Sequence, residues 1–128
     1  MSRNCMLLLV FLLMLCHLIG DFSPLSTNWM LKAKSIGKPL LPIFLHASVH
    51  GTLMMTVLVF FTDIPTAFAL MVFEIITHFL IDVWKGRMNV WFPALQDQKF
   101  YLHWTVFGID QLLHQTVILL MVYYIFYP

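Results

Sequence analysis

The chain has 128 residues, 61% of them hydrophobic and only 10% charged, with a mean hydropathy of +0.88. Soluble domains are closer to half apolar and a quarter charged, so this composition excludes an ordinary soluble globule and points to one membrane domain, 1–128. The net charge of +1 says little by itself, because the distribution of charge carries the information, and nucleic acid is not an expected partner.

The first apolar segment, about 5–21, follows Arg3 and could pass for a secretory leader. No small-x-small cleavage site follows Cys16; the next polar groups are His17 and Asp21, so the segment reads as a retained helix. It is short for a crossing and needs Ser2–Asn4 and residues near Asp21 to complete it. Cys5 and Cys16 lie eleven residues apart on this helix and cannot bridge, so the redox compartment stays unread.

Residues 22–39 form a loop rich in Ser, Pro and Lys. The second helix, about 40–61, opens with His46 and His50. Thr62-Asp63 with Pro65 is a helix-start signature, and so tight a connection makes the second and third helices antiparallel neighbours. The third, about 64–84, carries Glu74, His78 and Asp82 at i, i+4 and i+8, a polar stripe on one apolar cylinder. Residues 85–103 form the second long loop, and a fourth helix, about 104–127, carries Asp110 and His114. The expected fold is an all-α, integral membrane four-helix bundle with up-down-up-down topology. Six of the seven basic residues (Lys32, Lys34, Lys38, Lys85, Arg87, Lys99) then lie on one side, against Arg3 opposite. The positive-inside rule places both loops in the cytoplasm and both termini on the opposite side of the membrane. Trp29, Trp84, Trp91 and Trp104 lie in or beside these loops, as an aromatic belt requires.

Ionisable groups inside a membrane segment are costly and read as functional, with partners. Each helix offers one i, i+4 pair: His17 and Asp21, His46 and His50, His78 and Asp82, Asp110 and His114. These pairs lie at the ends of the first and third helices and the beginnings of the second and fourth, the same side of the membrane. At 1.5 Å per residue, His50, His78 and His114 lie ~18–22 Å from the opposite end, and His46, Asp82 and Asp110 ~24–28 Å. A lone intramembrane His is often only an interhelical hydrogen bond. Five His and three Asp in one layer fit a metal centre built from facing helices, with one or two divalent ions. Histidine with carboxylate and no thiolate favours zinc, with manganese or iron as alternatives. Glu74, one turn deeper, is a candidate catalytic proton acceptor, a further ligand, or a buried group that supports one. Lys32, Lys34, Lys85 and Arg87 are candidates for holding an anionic headgroup. His103 reads as interfacial, Asp63 as a cap, and Gln111 as facing about 100° away from Asp110.

These residues resemble a family of small phage and bacterial membrane proteins classed as a domain of unknown function, DUF3307. The matching stretches are His17-Leu-Ile-Gly-Asp21-Phe22, Lys32, His46 with His50, His78-Phe-Leu-Ile-Asp82-Val-Trp-Lys85, and Asp110-Gln111-Leu-Leu-His114. Family members often carry Gln a few residues after the first Asp, where this chain has Ser23-Pro24-Leu25-Ser26. The layout is also similar, more loosely, to small inner-membrane proteins described as metal-dependent hydrolases. The composition of the layer and its depth near the cytoplasmic headgroup level, where a lipid phosphate lies, make the expected function metal-dependent hydrolysis of a lipid-linked (phospho)ester, with a membrane lipid as substrate. The alternatives are a di-metal lipid oxidase related to desaturases, a metal or proton transporter, and a non-enzymatic effector that binds a host membrane protein; a bis-His haem protein is a lesser one. A four-helix chain of this size buries little, so a homo-oligomer is also an expectation.

Overall fold

The computed structural model describes residues 3–127, all helix, turn and loop. Helices α1 (Arg3–Phe22), α3 (Leu40–Leu58), α4 (Ile64–Trp91) and α5 (Tyr101–Phe126) are each long and apolar enough to cross a membrane. The part expected of Ser2 in the first crossing lies outside the described residues. The four long helices form a closed ring in which α1 packs on α3, α3 on α4, α4 on α5 and α5 back on α1. Neither diagonal pair packs directly, so only side chains meet across the centre.

The half of the bundle nearer the α3–α4 corner is filled by Leu9, Leu13, Met54, Leu58, Ala67, Leu70, Ile118 and Met121. Large apolar side chains such as Phe11, Phe60, Ile64 and Leu112 point outward. A helix apolar on both inner and outer faces suits lipid rather than water. At that corner Asp63 caps α4 as its sequence implies, its Oδ1 accepting from the Thr66 N–H and its Oδ2 from the Thr66 hydroxyl, both at 2.9 Å. Those two donors hold the Asp63 carboxyl below its usual range.

Four expectations about the elements are corrected. Residues 22–39 are not a plain loop, because they contain α2 (Asn28–Ile36). Thr27 caps its start, accepting from the Met30 N–H, and Gly37 closes its end in the left-handed conformation with φ 69°. The third long helix does not stop at Trp84 but runs on to Trp91. Nothing between Trp84 and Trp91 breaks a helix strongly until Pro93, which disfavours helical geometry in Phe92. A short 3-10 turn (Pro93–Gln96) follows, and α5 begins at Tyr101, three residues earlier than expected, while α3 ends at Leu58 rather than 61.

Among the described residues, the backbone of α2 packs on α3 and α4, and its Lys34 side chain reaches across to Asp21 of α1. The helix therefore covers one half of the loop-side end of the bundle and leaves the α1–α5 half open.

Candidate metal centre

All eight histidines and aspartates expected in one layer do converge. Toward the α2 end of the bundle, the five imidazoles form a contiguous stack in which His78 is central. Its ring centroid lies 3.8 Å from that of His50, 4.1 Å from His114, 5.3 Å from His46 and 5.5 Å from His17. His46, His50, His78, Asp82 and Asp110 are fully buried, and His17 and His114 nearly so. Gly20 permits this packing: a Cβ there would meet the His50 ring at 2.5–2.7 Å, so any side chain would displace that ring or part α1 from α3.

Carboxylates bridge the stack. Asp21 Oδ1 lies 3.1 Å from His46 Nε2 and 3.5 Å from His50 Nε2, and Asp21 Oδ2 lies 3.3 Å from His17 Nε2. Asp82 reaches His78 Nε2 at 3.4 Å and His114 Nε2 at 3.5 Å, and Asp110 Oδ1 is 3.5 Å from the same His114 nitrogen. Metal–ligand bonds of about 2.0–2.1 Å in a tetrahedron place neighbouring donors about 3.3–3.4 Å apart. These separations match that edge. Three overlapping sets can each hold an ion: His17, His50, Glu74 and His78; Asp21, His46, His50 and His78; His78, Asp82 and His114. His78 belongs to every one.

Two contacts fix ring orientation. The Ser26 hydroxyl donates to the Gly20 carbonyl at 2.7 Å, and His46 Nδ1 lies 3.0 Å from the same hydroxyl oxygen. Since a carbonyl can only accept, the Ser26 hydrogen is engaged there, and His46 Nδ1 must carry the proton it donates to Ser26. His46 Nε2 is thereby left with its lone pair aimed at the cluster. Glu74 does the same for His78, with Oε1 3.2 Å from Nδ1, so His78 Nε2 faces Asp82. Glu74 therefore lies behind His78, away from the loop-side opening, as a buried group supporting a ligand would.

Lys34 inserts from α2. Its Nζ is 2.9 Å from Asp21 Oδ1, 3.2 Å from Asp82 Oδ1 and 3.2 Å from His46 Nε2, a set of neighbours suited to a cation. Burial opposes the ammonium charge, but Asp82 and Asp21 outweigh it and raise the Lys34 pKa above its ordinary value. Lys85 pairs with Asp110 Oδ2 at 3.2 Å. Four carboxylates (Asp21, Glu74, Asp82, Asp110) thus face two ammonium groups, leaving two negative charges uncompensated when the imidazoles are neutral. Among the described residues, His17, His50, Asp82, Asp110 Oδ1, His78 Nε2 and His114 Nε2 also present buried polar atoms without a hydrogen-bond partner. Such orphans are rare in native interiors and call for an ion or water.

A cavity of about 240 Å³ opens from the cluster on the side α2 leaves uncovered, its walls including Asp21, Lys34, Lys85, His103, Phe107 and Asp110. Lys34 and Lys85, two of the four expected headgroup-binding residues, line it. The other two do not: Lys32 is exposed on α2, and Arg87 lies beside Gly37. His103 Nδ1 is tied to the Leu95 carbonyl at 2.6 Å, which orients it on the cavity wall. Ser26 had no sequence signal, being one serine in a Ser/Pro stretch. Gln111 faces partly toward the site, its amide donating to Asp110 Oδ2 at 3.1 Å.

The family described as "Protein of unknown function (DUF3307)" matches residues 9–128. No curated protein and no solved structure gives a match.

Proposed function

We propose that this chain, which belongs to the DUF3307 family of proteins of unknown function, is a metal-dependent hydrolase acting on a lipid-linked phosphoester at the membrane surface. The observation that carries the reading is the cavity in which Lys34 and Lys85 stand beside the Asp21 and Asp110 carboxylates of the cluster. Ammonium groups next to a candidate metal centre suit a phosphate.

His78, His50, His46 and His114, with Asp21 and Asp82, would hold one divalent ion, which cancels the two uncompensated charges; a second ion fits if hydroxide or substrate brings further negative charge. Zinc suits these donors best, and manganese or iron accept them. Bound there, the ion supplies activation of water and neutralisation of phosphoryl oxygen. The remaining work falls to side chains. Lys34 and Lys85 bind the phosphate oxygens. Asp110, whose Oδ1 is buried without a hydrogen-bond partner, accepts a proton from the attacking water. The water oxygen bonds to phosphorus, the phosphorus–oxygen bond to the leaving alcohol breaks, and the alkoxide takes that proton back.

The positively charged end of the molecule supports the orientation read from sequence, with α2 and the α4–α5 connection in the cytoplasm of an inner membrane. A transport pathway is disfavoured by the apolar packing of Leu9, Leu13, Met54, Leu58 and Ile118 beyond the cluster. The test is elemental analysis of protein purified from membranes, alongside His78→Ala, with lipid phosphoester hydrolysis followed by mass spectrometry. About one ion per chain, lost in the variant together with product, is the expected result. Wild-type protein without stoichiometric metal would sink the reading; iron with dioxygen-dependent turnover would replace it by oxidase chemistry.

A further inference from the structure

The cavity does not end at the cluster. It shares Phe22 and Gln111 with a second depression of about 330 Å³ that runs along the outside of the bundle between α1 and α5. Phe11, Met14, Leu15, Leu18 and Ile118 give this groove an apolar floor and walls, and His17 brings the edge of the cluster to its upper end. From Phe22 to Phe11 the α1 helix rises about 16 Å, roughly half of a ~30 Å hydrocarbon core and therefore one leaflet.

Two amides interrupt the apolar lining. Gln111 and Gln115 are one turn apart on α5 and both line the groove. Gln111 donates one N–H to Asp110. Gln115 is exposed on a membrane-spanning helix, and among the described residues its side chain has no hydrogen bond. An unpaired amide facing hydrocarbon is costly, so a ligand oxygen at that depth is the natural partner.

We infer that the lysine cavity and the α1–α5 groove are one continuous site for a diacylglycerol lipid with a terminal phosphate. The phosphate lies at Lys34 and Lys85, the ester carbonyls accept from Gln111 and Gln115, and one acyl chain follows the groove to Phe11. The ester carbonyls of such a lipid lie just below its phosphate, where the two amides are. A polyprenyl phosphate has the charge and the chain but no carbonyl there. This site rests on the hydrolase reading in one respect: an ion taking up the carboxylates frees both ammonium groups to face the phosphate.

The test uses the full chain in detergent micelles and native mass spectrometry to count retained lipid. The probes are dioleoyl phosphatidic acid, dioleoyl phosphatidylcholine and undecaprenyl phosphate. Gln115→Leu and Leu18→Trp both change exposed groove positions, the first removing the donor and the second filling the channel. Phosphatidic acid affinity is expected to fall about fivefold to tenfold in Gln115→Leu, as for one lost hydrogen bond, and at least as far in Leu18→Trp. Undecaprenyl phosphate should be indifferent to Gln115→Leu, and phosphatidylcholine should bind weakly throughout. Unchanged phosphatidic acid binding in both folded variants overturns the inference, as does equal sensitivity of undecaprenyl phosphate to Gln115→Leu. Metal content and product release are read separately on the same preparations. Bound metal and turnover with an indifferent groove leave the hydrolase reading intact without this site. Groove-dependent phosphatidic acid binding without metal removes the hydrolase reading and overturns the freeing of the ammonium groups by an ion, while the groove and its two amides stand as the lipid site.

Discussion

At the scale of single residues, the cluster is organised as much by what stands behind the imidazoles as by the imidazoles. Glu74 and Ser26 each take the Nδ1 proton of one histidine and so point its Nε2 lone pair inward. Supporting groups of this kind typically carry a tenfold to hundredfold effect on metal affinity. Glu74→Ala is expected to weaken zinc binding by about that factor, and Glu74→Gln by less, because an amide oxygen still accepts from Nδ1. Competition against a chromophoric chelator measures both; equal affinity in Glu74→Ala and wild type would remove Glu74 from the site. Ser26→Ala leaves His46 free to present either nitrogen, and a loss of about tenfold in the same titration is expected. The Glu74–His78–Asp82 stripe is legible in sequence because helical periodicity puts the three on one face. Ser26 is not, because its role depends on a carbonyl and an imidazole brought together from α1 and α3.

At the scale of elements, α2 decides what the site can reach. It is short and not strongly apolar, and its attachment relies on close backbone approach. Gly86 of α4 lies directly against the backbone of Gly37 and Lys34, and a Cβ there would collide with both. Gly86→Val is therefore expected to lift α2 from α4, destabilising the protein by about 1–3 kcal/mol as overpacking does. It should also withdraw Lys34 from Asp21 and Asp82 while leaving the four crossing helices in place. A lowered thermal midpoint with undiminished helical circular dichroism and metal content would show this; loss of the metal as well would mean that α2 is part of the cluster's support. Thr27 and Gly37 bound α2, but the segment between them is too short for periodicity to announce it, and the Ser, Pro and Lys around it read as loop.

At the scale of the whole molecule, net charge and burial pull in opposite directions at one end of the bundle. With the imidazoles neutral, two uncompensated negative charges in a desolvated layer destabilise the folded state unless a cation joins them. Chelation is thus expected to lower the thermal midpoint, and returning zinc at a hundredfold excess over its Kd should recover about 2.7 kcal/mol. A midpoint indifferent to chelator and zinc would argue for charge neutralised by protons instead. The orientation is tested independently. A cysteine at Lys32 or Lys38, both exposed, in a Cys5→Ser, Cys16→Ser background should react with an impermeant maleimide only after the inner membrane is opened. Labelling in intact spheroplasts would invert the proposed topology.

The membrane-like character of the chain, its four crossing-length helices and the eight residues of the layer are all legible in the order of residues. Each follows from local rules: hydrophobic length sets a crossing, and i, i+4 spacing sets a shared face. Alternating direction then carries the pairs to one depth. Only packing in three dimensions selects the central histidine, the nitrogen of His46 and His78 that faces inward, and the two lysines, Lys34 and Lys85, that reach the site while Lys32 and Arg87 do not. Packing also leaves the α1–α5 side uncovered by α2. Those are questions of rotation about helix axes and of contacts between distant segments. They are set by close approaches such as Gly20 against His50, and no period along one chain encodes them.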